Sequence, residues 1–407
     1  MEPTSIHGRH IPGTPGPSSL LVKPVGARCN LRCSYCFYHP DKRESGGVMR
    51  PLTLRLLTAE ALRLPVTRPG LCWQGGEPTL AGLAFYRQAM ELQKELGQGR
   101  ELANSLQTNG LLLNREWAAF LKENGFLVGL SLDGPERLHD ANRLGPDGRG
   151  SWQRVMDAAG RLQDAGVPVN ILCSLTEQAA ASVDELYGFF VERGFTHVQF
   201  TPLLEADVAG KGPARFSLTP ERYGTFLCRL WDRWLQALDH GKAPGVRFFE
   251  SFCHQAFGLA PTLCEMYPGC GTYAVVELDG SVYPCDFFVN EQWRLGTLEQ
   301  GLLETLQSPG SRHFNEIRLM VRPECRDCFW KAWCHGGCLK YRRLGPRMLP
   351  KTWFCESYRA FFAHAWPDLP RVSAVVGMSK SSDSDEGSAR DRQDLAGPGP
   401  GEWQAKC

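Results

Sequence analysis

The sequence predicts an α/β protein, a parallel sheet wrapped by helices, followed by a smaller cysteine-rich region. Three observations carry that expectation. Between residues 20 and 205, short β-rich runs alternate with amphipathic helical stretches. Near residue 264 the texture changes to cysteine, glycine and aromatics, and no apolar run is long enough to span a membrane.

In chain order, the strand candidates are SLLVKPVG, GLCWQGGE, ELANSLQTNG, FLVGLSLDG, VPVNILCSL and HVQFTPLL. Between them lie LTLRLLTAEALRL, AGLAFYRQAMELQKEL, NREWAAFLKENG, SWQRVMDAAGRLQDAG and SVDELYGFFVERG, whose apolar positions recur at helical spacing. Six consecutive β-then-α units indicate either an open doubly wound sheet or an incomplete barrel. Several strands end in polar or glycine-rich residues, at the carboxyl ends where such folds place chemistry. A helical connector follows near TPERYGTFLCRLWDRWLQALDHG, and YAVVELDGSVYPCDFF reads as a hairpin turning at DG. From residue 373 the chain is polar and low in complexity, and a disordered tail is expected.

The chain's 407 residues are enough for more than one domain. Its 45 lysines and arginines balance 44 acidic residues, which argues against a binder of nucleic acid or other polyanions. The opening MEPTSIHGRHIPGTPGPSS lacks the basic-then-apolar pattern of a signal peptide, so a cytoplasmic location is expected. There the sixteen cysteines stay reduced, and their clusters read as metal ligands rather than disulfides.

The loop CNLRCSYCFY places Cys29, Cys33 and Cys36 together with no fourth cysteine nearby. Structural zinc usually takes four protein ligands, so three thiolates point to a metal with an open position. A 4Fe-4S cluster on three cysteines meets that description, whereas an incomplete zinc knuckle is the alternative. The later region supplies Cys264, Cys270, Cys285, Cys325, Cys328, Cys334, Cys338 and Cys355. Eight thiols suffice for two four-cysteine sites, and spacing alone does not separate zinc from iron-sulfur.

Together with QGGEP (Gln74–Pro78), SLDG and HDANR, the first loop resembles that of the radical S-adenosylmethionine enzymes. The resemblance implies a partial (β/α)6 TIM-like barrel with a 4Fe-4S cluster on Cys29, Cys33 and Cys36, its open iron taking S-adenosylmethionine. It further implies that Tyr35 and Leu204 contact adenine, that Gly76 and Glu77 hold the methionyl amino group, and that Ser131 and Arg143 grip ribose and carboxylate. The later region resembles a SPASM domain. By that likeness Cys264, Cys270, Cys285 and Cys338 hold one auxiliary 4Fe-4S cluster and Cys325, Cys328, Cys334 and Cys355 a second, three clusters in all.

YPCDFF resembles the corresponding stretch of the anaerobic sulfatase-maturating enzymes, which oxidise a sulfatase cysteine or serine to formylglycine. That likeness makes Asp286 the general base and places Tyr38 and Gln74 against the substrate peptide. Leu339 departs from the family, which often has proline there. The implied partners are an unfolded sulfatase segment and an electron donor such as flavodoxin or ferredoxin, with no nucleic acid and no membrane. Of the remaining cysteines, Cys72, Cys173 and Cys228 lie in apolar patterns and read as buried small hydrophobes, whereas Cys253 and Cys407 receive no role. The expected layout is a flexible N-terminus (1–17), the barrel (18–240), a connector (241–263), the SPASM domain (264–365) and a disordered tail (373–407). A maturase installing thioether or other crosslinks in a peptide, and a zinc-bound interaction module, are the competing readings.

Overall fold

All six strand candidates form strands. A computed structural model of the chain describes residues 16–38, 47–207, 209–349 and 351–376. The strands are β1 (Ser19–Val22), β2 (Gly70–Trp73), β3 (Ala103–Thr108), β4 (Leu127–Ser131), β5 (Val169–Leu175) and β6 (His197–Pro202). Among and after them run α1 (Pro51–Leu62), α2 (Leu83–Gly97), α3 (Arg115–Glu123), α4 (Glu136–His139), α5 (Trp152–Asp164), α6 (Glu177–Ala180), α7 (Val183–Glu192) and α8 (Pro220–Asp239). Side-chain caps start several helices: Asn114 accepts from Trp117 N at 3.0 Å before α3, and Thr219 from Arg222 N at 3.2 Å before α8.

Strand order decides between the two architectures left open by the alternation. β1 to β6 pair in parallel in unbroken chain order. A doubly wound sheet needs a reversal of order, but here right-handed crossovers put every helix on one face and the sheet curls into a partial barrel. Residues facing the helices, among them Trp73, Leu106, Leu130, Cys173 and Phe200, are buried. Their neighbours Cys72, Ser105, Gln107, Gly129, Asn170 and Gln199 line a cavity inside the barrel. This lumen is therefore polar and partly open, unlike the filled interior of a closed eight-stranded barrel.

The segment read as a connector contributes β7 (Gly245–Val246), which pairs in parallel with β6, and α9 (Arg247–Ala256). The predicted hairpin, β8 (Tyr273–Val276) and β9 (Ser281–Tyr283), does not stand apart from the barrel. β8 pairs in parallel with β1, and β10 (Gly296–Thr297) adds beyond β9, giving one ten-stranded sheet. Then follow α10 (Leu302–Leu306), α11 (Pro309–Leu319), α12 (Pro323–Arg326), α13 (Lys331–Cys334), a small hairpin of β11 (Arg343–Leu344) and β12 (Arg347–Met348), α14 (Cys355–Ala365) and α15 (Leu369–Val376).

The two regions also share a core. Phe361 of α14 stacks on Phe249 of α9 at 5.4 Å and meets Trp231 of α8 edge-on at 5.8 Å. Trp353 Nε1 donates to Leu218 O at 2.8 Å, and Tyr341 OH to Pro202 O at 3.2 Å. Residues 373–376, expected to belong to the tail, are instead the end of α15, which runs to Val376 and buries Val372. The rest of that tail, residues 377–407 with Cys407, lies outside the described residues, as do residues 1–15 of the expected flexible N-terminus.

Candidate active site

Cys29, Cys33 and Cys36 follow β1 on a loop tied to two neighbouring segments. Arg32 N donates to Leu144 O at 2.8 Å and Ser34 N to Asn142 O at 3.0 Å, beside the predicted HDANR segment. From the end of β3, Asn109 Nδ2 donates to Asn30 Oδ1 at 2.8 Å and approaches Cys29 Sγ at 3.9 Å. Burial pushes the Cys29 thiol up to about 12, and Glu77, Cys33 and Cys36 add to the effect. Ionising Cys29 in this buried setting is costly, and a cationic cluster core bound to the loop would offset that cost.

The QGGEP motif abuts this loop. Gly76 has φ +24°, and a Cβ there would lie 2.1 Å from Arg28 O, so only glycine admits the contact. Glu77 N donates to Arg28 O at 2.8 Å. The Glu77 carboxylate is almost fully buried. Its Oε1 accepts from Thr79 N (3.0 Å), Thr79 Oγ1 (2.6 Å) and Thr108 Oγ1 (2.7 Å), and its Oε2 from Asn109 N (2.7 Å). Glu77 thus stitches β2 to β3 and leaves Oε2 as its less engaged oxygen.

Tyr35 and Arg143 converge on Asp133, the aspartate of SLDG, which sequence reasoning quoted without assigning a role. Arg143 Nε and Nη2 bond Asp133 Oδ2 and Oδ1 at 2.8 and 3.1 Å, and Tyr35 OH donates to Oδ2. Ser174 N closes the carboxylate's shell at 2.9 Å. Burial alone would lower the Arg143 proton affinity, but Asp133 and Tyr35 hold the buried guanidinium firmly charged. Ser131 accepts from Gln107 Nε2 at 3.1 Å beside the lumen, and Leu204 is buried at the barrel mouth.

The other predicted residues meet at Asp286, which is 6% exposed and opens the turn after β9. Tyr38 OH donates to its Oδ1 at 3.2 Å and Gln74 Nε2 to its Oδ2 at 3.3 Å. A residue missed in the sequence completes the group. Lys23, fully buried, places Nζ 2.7 Å from Asp286 Oδ1 and 2.9 Å from Glu277 Oε1, close ion pairs that fall outside hydrogen-bond geometry. The same ammonium sits 4.8 Å from the Tyr38 ring centre. Burial works against its charge, but Asp286, Tyr38 and Glu277 raise the Lys23 proton affinity well above its ordinary value. Tyr38 moves the same way, chiefly through burial and then Asp286, and so remains a hydrogen-bond donor. The available signal was a lone lysine in the otherwise apolar SLLVKPVG. Its partner was hidden because Glu277 becomes adjacent only through the β1–β8 pairing, Val22 opposite Val276.

The later cysteines influence one another within each expected set. Burial raises the Cys264 thiol, and Cys338, Cys285 and Cys270 raise it further. In the other set Cys334 is pushed up to about 11 by burial, with Cys328, Cys355 and Cys325 contributing, and these four line one pocket. None of the described cysteines is in a disulfide. Among the described residues no three His, Cys, Asp or Glu side chains converge on a position for a single metal ion. Of the cysteines outside these sets, Cys173 and Cys253 are buried in the core and Cys228 packs against it, but Cys72 lines the lumen instead of the core expected for it.

The fold and the three cysteine groups define a radical S-adenosylmethionine enzyme with a C-terminal iron-sulfur region. Residues 24–189 match the radical SAM superfamily, and residues 264–329 match the SPASM iron-sulfur cluster-binding domain. A cysteine-type anaerobic sulfatase-maturating enzyme of Clostridium perfringens is 38% identical over 364 residues, 88% of this chain and 98% of that protein. A serine-type enzyme of Bacteroides thetaiotaomicron is 35% identical over 375 residues, 86% of this chain and 90% of that one. The solved structure of native anSMEcpe with bound AdoMet and Cp18Cys peptide superposes with a TM-score of 0.82 at 38% identity, covering 88% of this chain and 99% of that one. SuiB bound to its precursor peptide SuiA shares the fold at 18% identity and a TM-score of 0.62, covering 84% of this chain and 76% of that one. This chain belongs to the family of anaerobic sulfatase-maturating enzymes.

Proposed function

We propose that this chain oxidises a cysteine or serine in an unfolded sulfatase segment to Cα-formylglycine, with Asp286 as the base. The observation that carries the assignment is the Asp286 cluster. A buried carboxylate sits between the expected auxiliary-cluster ligand Cys285 and the barrel mouth, with one oxygen fixed by Lys23 and Tyr38 and the other, among the described residues, held by Gln74 at 3.3 Å. S-adenosylmethionine, bound at a 4Fe-4S cluster on Cys29, Cys33 and Cys36, would supply the 5'-deoxyadenosyl radical that takes a hydrogen atom from the target β-carbon.

The chain's residues then have separate tasks. Gly76, Glu77, Tyr35, Ser131, Arg143 and Leu204 seat the cofactor, and Asp133 steadies Tyr35 and Arg143. Gln74 and Tyr38 orient the peptide thiol or hydroxyl toward Asp286, which accepts its proton through Oδ2. The two four-cysteine sets would hold the clusters that accept the remaining electron. One hydrogen atom, one proton and one electron leave, so serine yields the aldehyde directly, and cysteine yields a thioaldehyde that water converts to the aldehyde with release of hydrogen sulfide. We assign the work to the cytoplasm with flavodoxin or ferredoxin as donor. Among the described residues, no helix is long and apolar enough to cross a membrane.

Asp286→Asn tests the assignment. In anoxically reconstituted protein with a sulfatase-motif peptide, the variant is expected to keep its iron and form 5'-deoxyadenosine while losing most aldehyde product. Full aldehyde formation would refute the role of Asp286. A new internal linkage in the peptide would favour the crosslinking alternative.

A further inference from the structure

Two buried charges in the cysteine-rich region have no part in the reaction as derived so far. Arg318 on α11 is 1% exposed and Arg342, just before β11, is 3% exposed. Arg318 Nη1 donates to His335 O at 2.6 Å, and its Nη2 to Glu265 O and Tyr267 O at 3.1 and 3.2 Å. Arg342 Nε donates to Gly336 O at 2.9 Å, and its Nη1 to Arg318 O and Met320 O at 3.1 and 2.7 Å. Main-chain carbonyls orient a guanidinium but do not cancel its charge. Two like charges buried side by side are costly unless an anion lies close.

The location of those carbonyls indicates where the anions belong. Glu265 and Tyr267 lie between Cys264 and Cys270, and Glu265 also faces Arg318 with its carboxylate. His335 and Gly336 form the loop joining Cys334 of one four-cysteine set to Cys338 of the other. This loop is shaped around the arginine. His335 and Gly336 have φ of +47° and +79°, and a Cβ on Gly336 would stand 2.5 Å from Arg342 Nη2. Electrostatically, Arg342 acts on Cys270 and Cys338 of the first set and on Cys325 of the second. Arg318 acts electrostatically on Cys270 and on Cys338.

We propose that Arg318 and Arg342 form a shared cationic wedge between the two auxiliary clusters, raising the reduction potentials of both so that the substrate's electron is accepted and passed on. The inference rests on reading both sets as 4Fe-4S sites. A cluster on four thiolates is anionic and gains a further negative charge on reduction, so a fixed nearby cation favours the reduced state. In a dry interior that influence extends to both sites, and Arg342 faces each of them.

The test is a potentiometric titration followed by electron paramagnetic resonance, on full-length protein in which Cys29, Cys33 and Cys36 are alanine so that only auxiliary clusters report. Arg342→Gln, which keeps hydrogen-bonding capacity without the charge, is expected to lower the reduced-to-oxidised ratio of both clusters about tenfold at fixed poise, a fall of about 59 mV for one electron. Arg342→Lys should stay within about threefold of the parent. Arg318→Gln, an independent variant, should affect the cluster on Cys264, Cys270, Cys285 and Cys338 more than the other. Unchanged potentials in iron-loaded Arg342→Gln, or a change in only one cluster, would overturn the wedge while leaving the cluster assignment intact. Zinc instead of iron and sulfide in the parent would overturn both.

Discussion

Lys23→Met removes the cation that fixes Asp286 and changes little else in shape. Nζ lies 2.7 Å from Asp286 Oδ1 in a pair with both side chains buried, so the variant leaves a buried carboxylate without its counter-charge. Breaking such a pair from one side costs about 3–5 kcal/mol. At about 1.36 kcal/mol per decade, that is a loss of about 10²–10⁴-fold if it falls on the reaction. The assay compares two products of one anoxic incubation. 5'-Deoxyadenosine, which depends on the first cysteine loop, should persist, whereas formylglycine should fall at least a hundredfold. Wild-type aldehyde yield, or an equal fall in both products, would refute a positioning role for Lys23.

Further outcomes follow from other parts of the structure. Gly76→Ala would force a Cβ to within 2.1 Å of Arg28 O; we expect loss of the first cluster and of 5'-deoxyadenosine formation, with auxiliary iron retained, read by iron analysis. Phe361→Ala should cost about 3–5 kcal/mol and, because Phe361 packs on Phe249 and Trp231, should lower one common melting transition instead of a separate one for the later region. His139 is pushed down from 6.5 to about 4 by burial and then by Arg143. Its Nδ1 accepts from Asp133 N at 3.2 Å, which requires the neutral ring. A base whose proton affinity is lowered on folding is protonated more readily in the unfolded chain, so stability is present above pH 6.5 and is lost as pH falls from 6.5 toward 4. The loss is worth about 3 kcal/mol, and His139→Gln should flatten that slope in thermal melts. Retention of the slope in the variant would assign it to another group.

Local pattern made much of this protein legible. The six strands follow from short β-rich runs bounded by turn residues. The first cysteine loop and the later cysteine-rich region are visible in the spacing, whereas the division of the later eight into two sets came from the resemblance to a SPASM domain. Asp286, Tyr38 and Gln74 were singled out by the resemblance of YPCDFF, CFYHP and QGGEP to the family's motifs. The structure brings these three together although the interval from Tyr38 to Asp286 includes most of the barrel.

What the tertiary structure alone decided depends on pairing between distant segments. Whether six strands form a doubly wound sheet or a curling one depends on their spatial order, which periodicity does not encode. The join between β8 and β1 makes two compositionally different regions share one sheet, and by setting Val276 beside Val22 it delivers Glu277 to Lys23. Asp133 received no role in the sequence, and only the fold shows its carboxylate buried against Arg143, with His139 Nδ1 accepting from its backbone N–H. A buried charge is defined by what surrounds it after folding. For that reason the ligands could be read from the order of residues, whereas the charges that position and tune them emerged only from the packed chain.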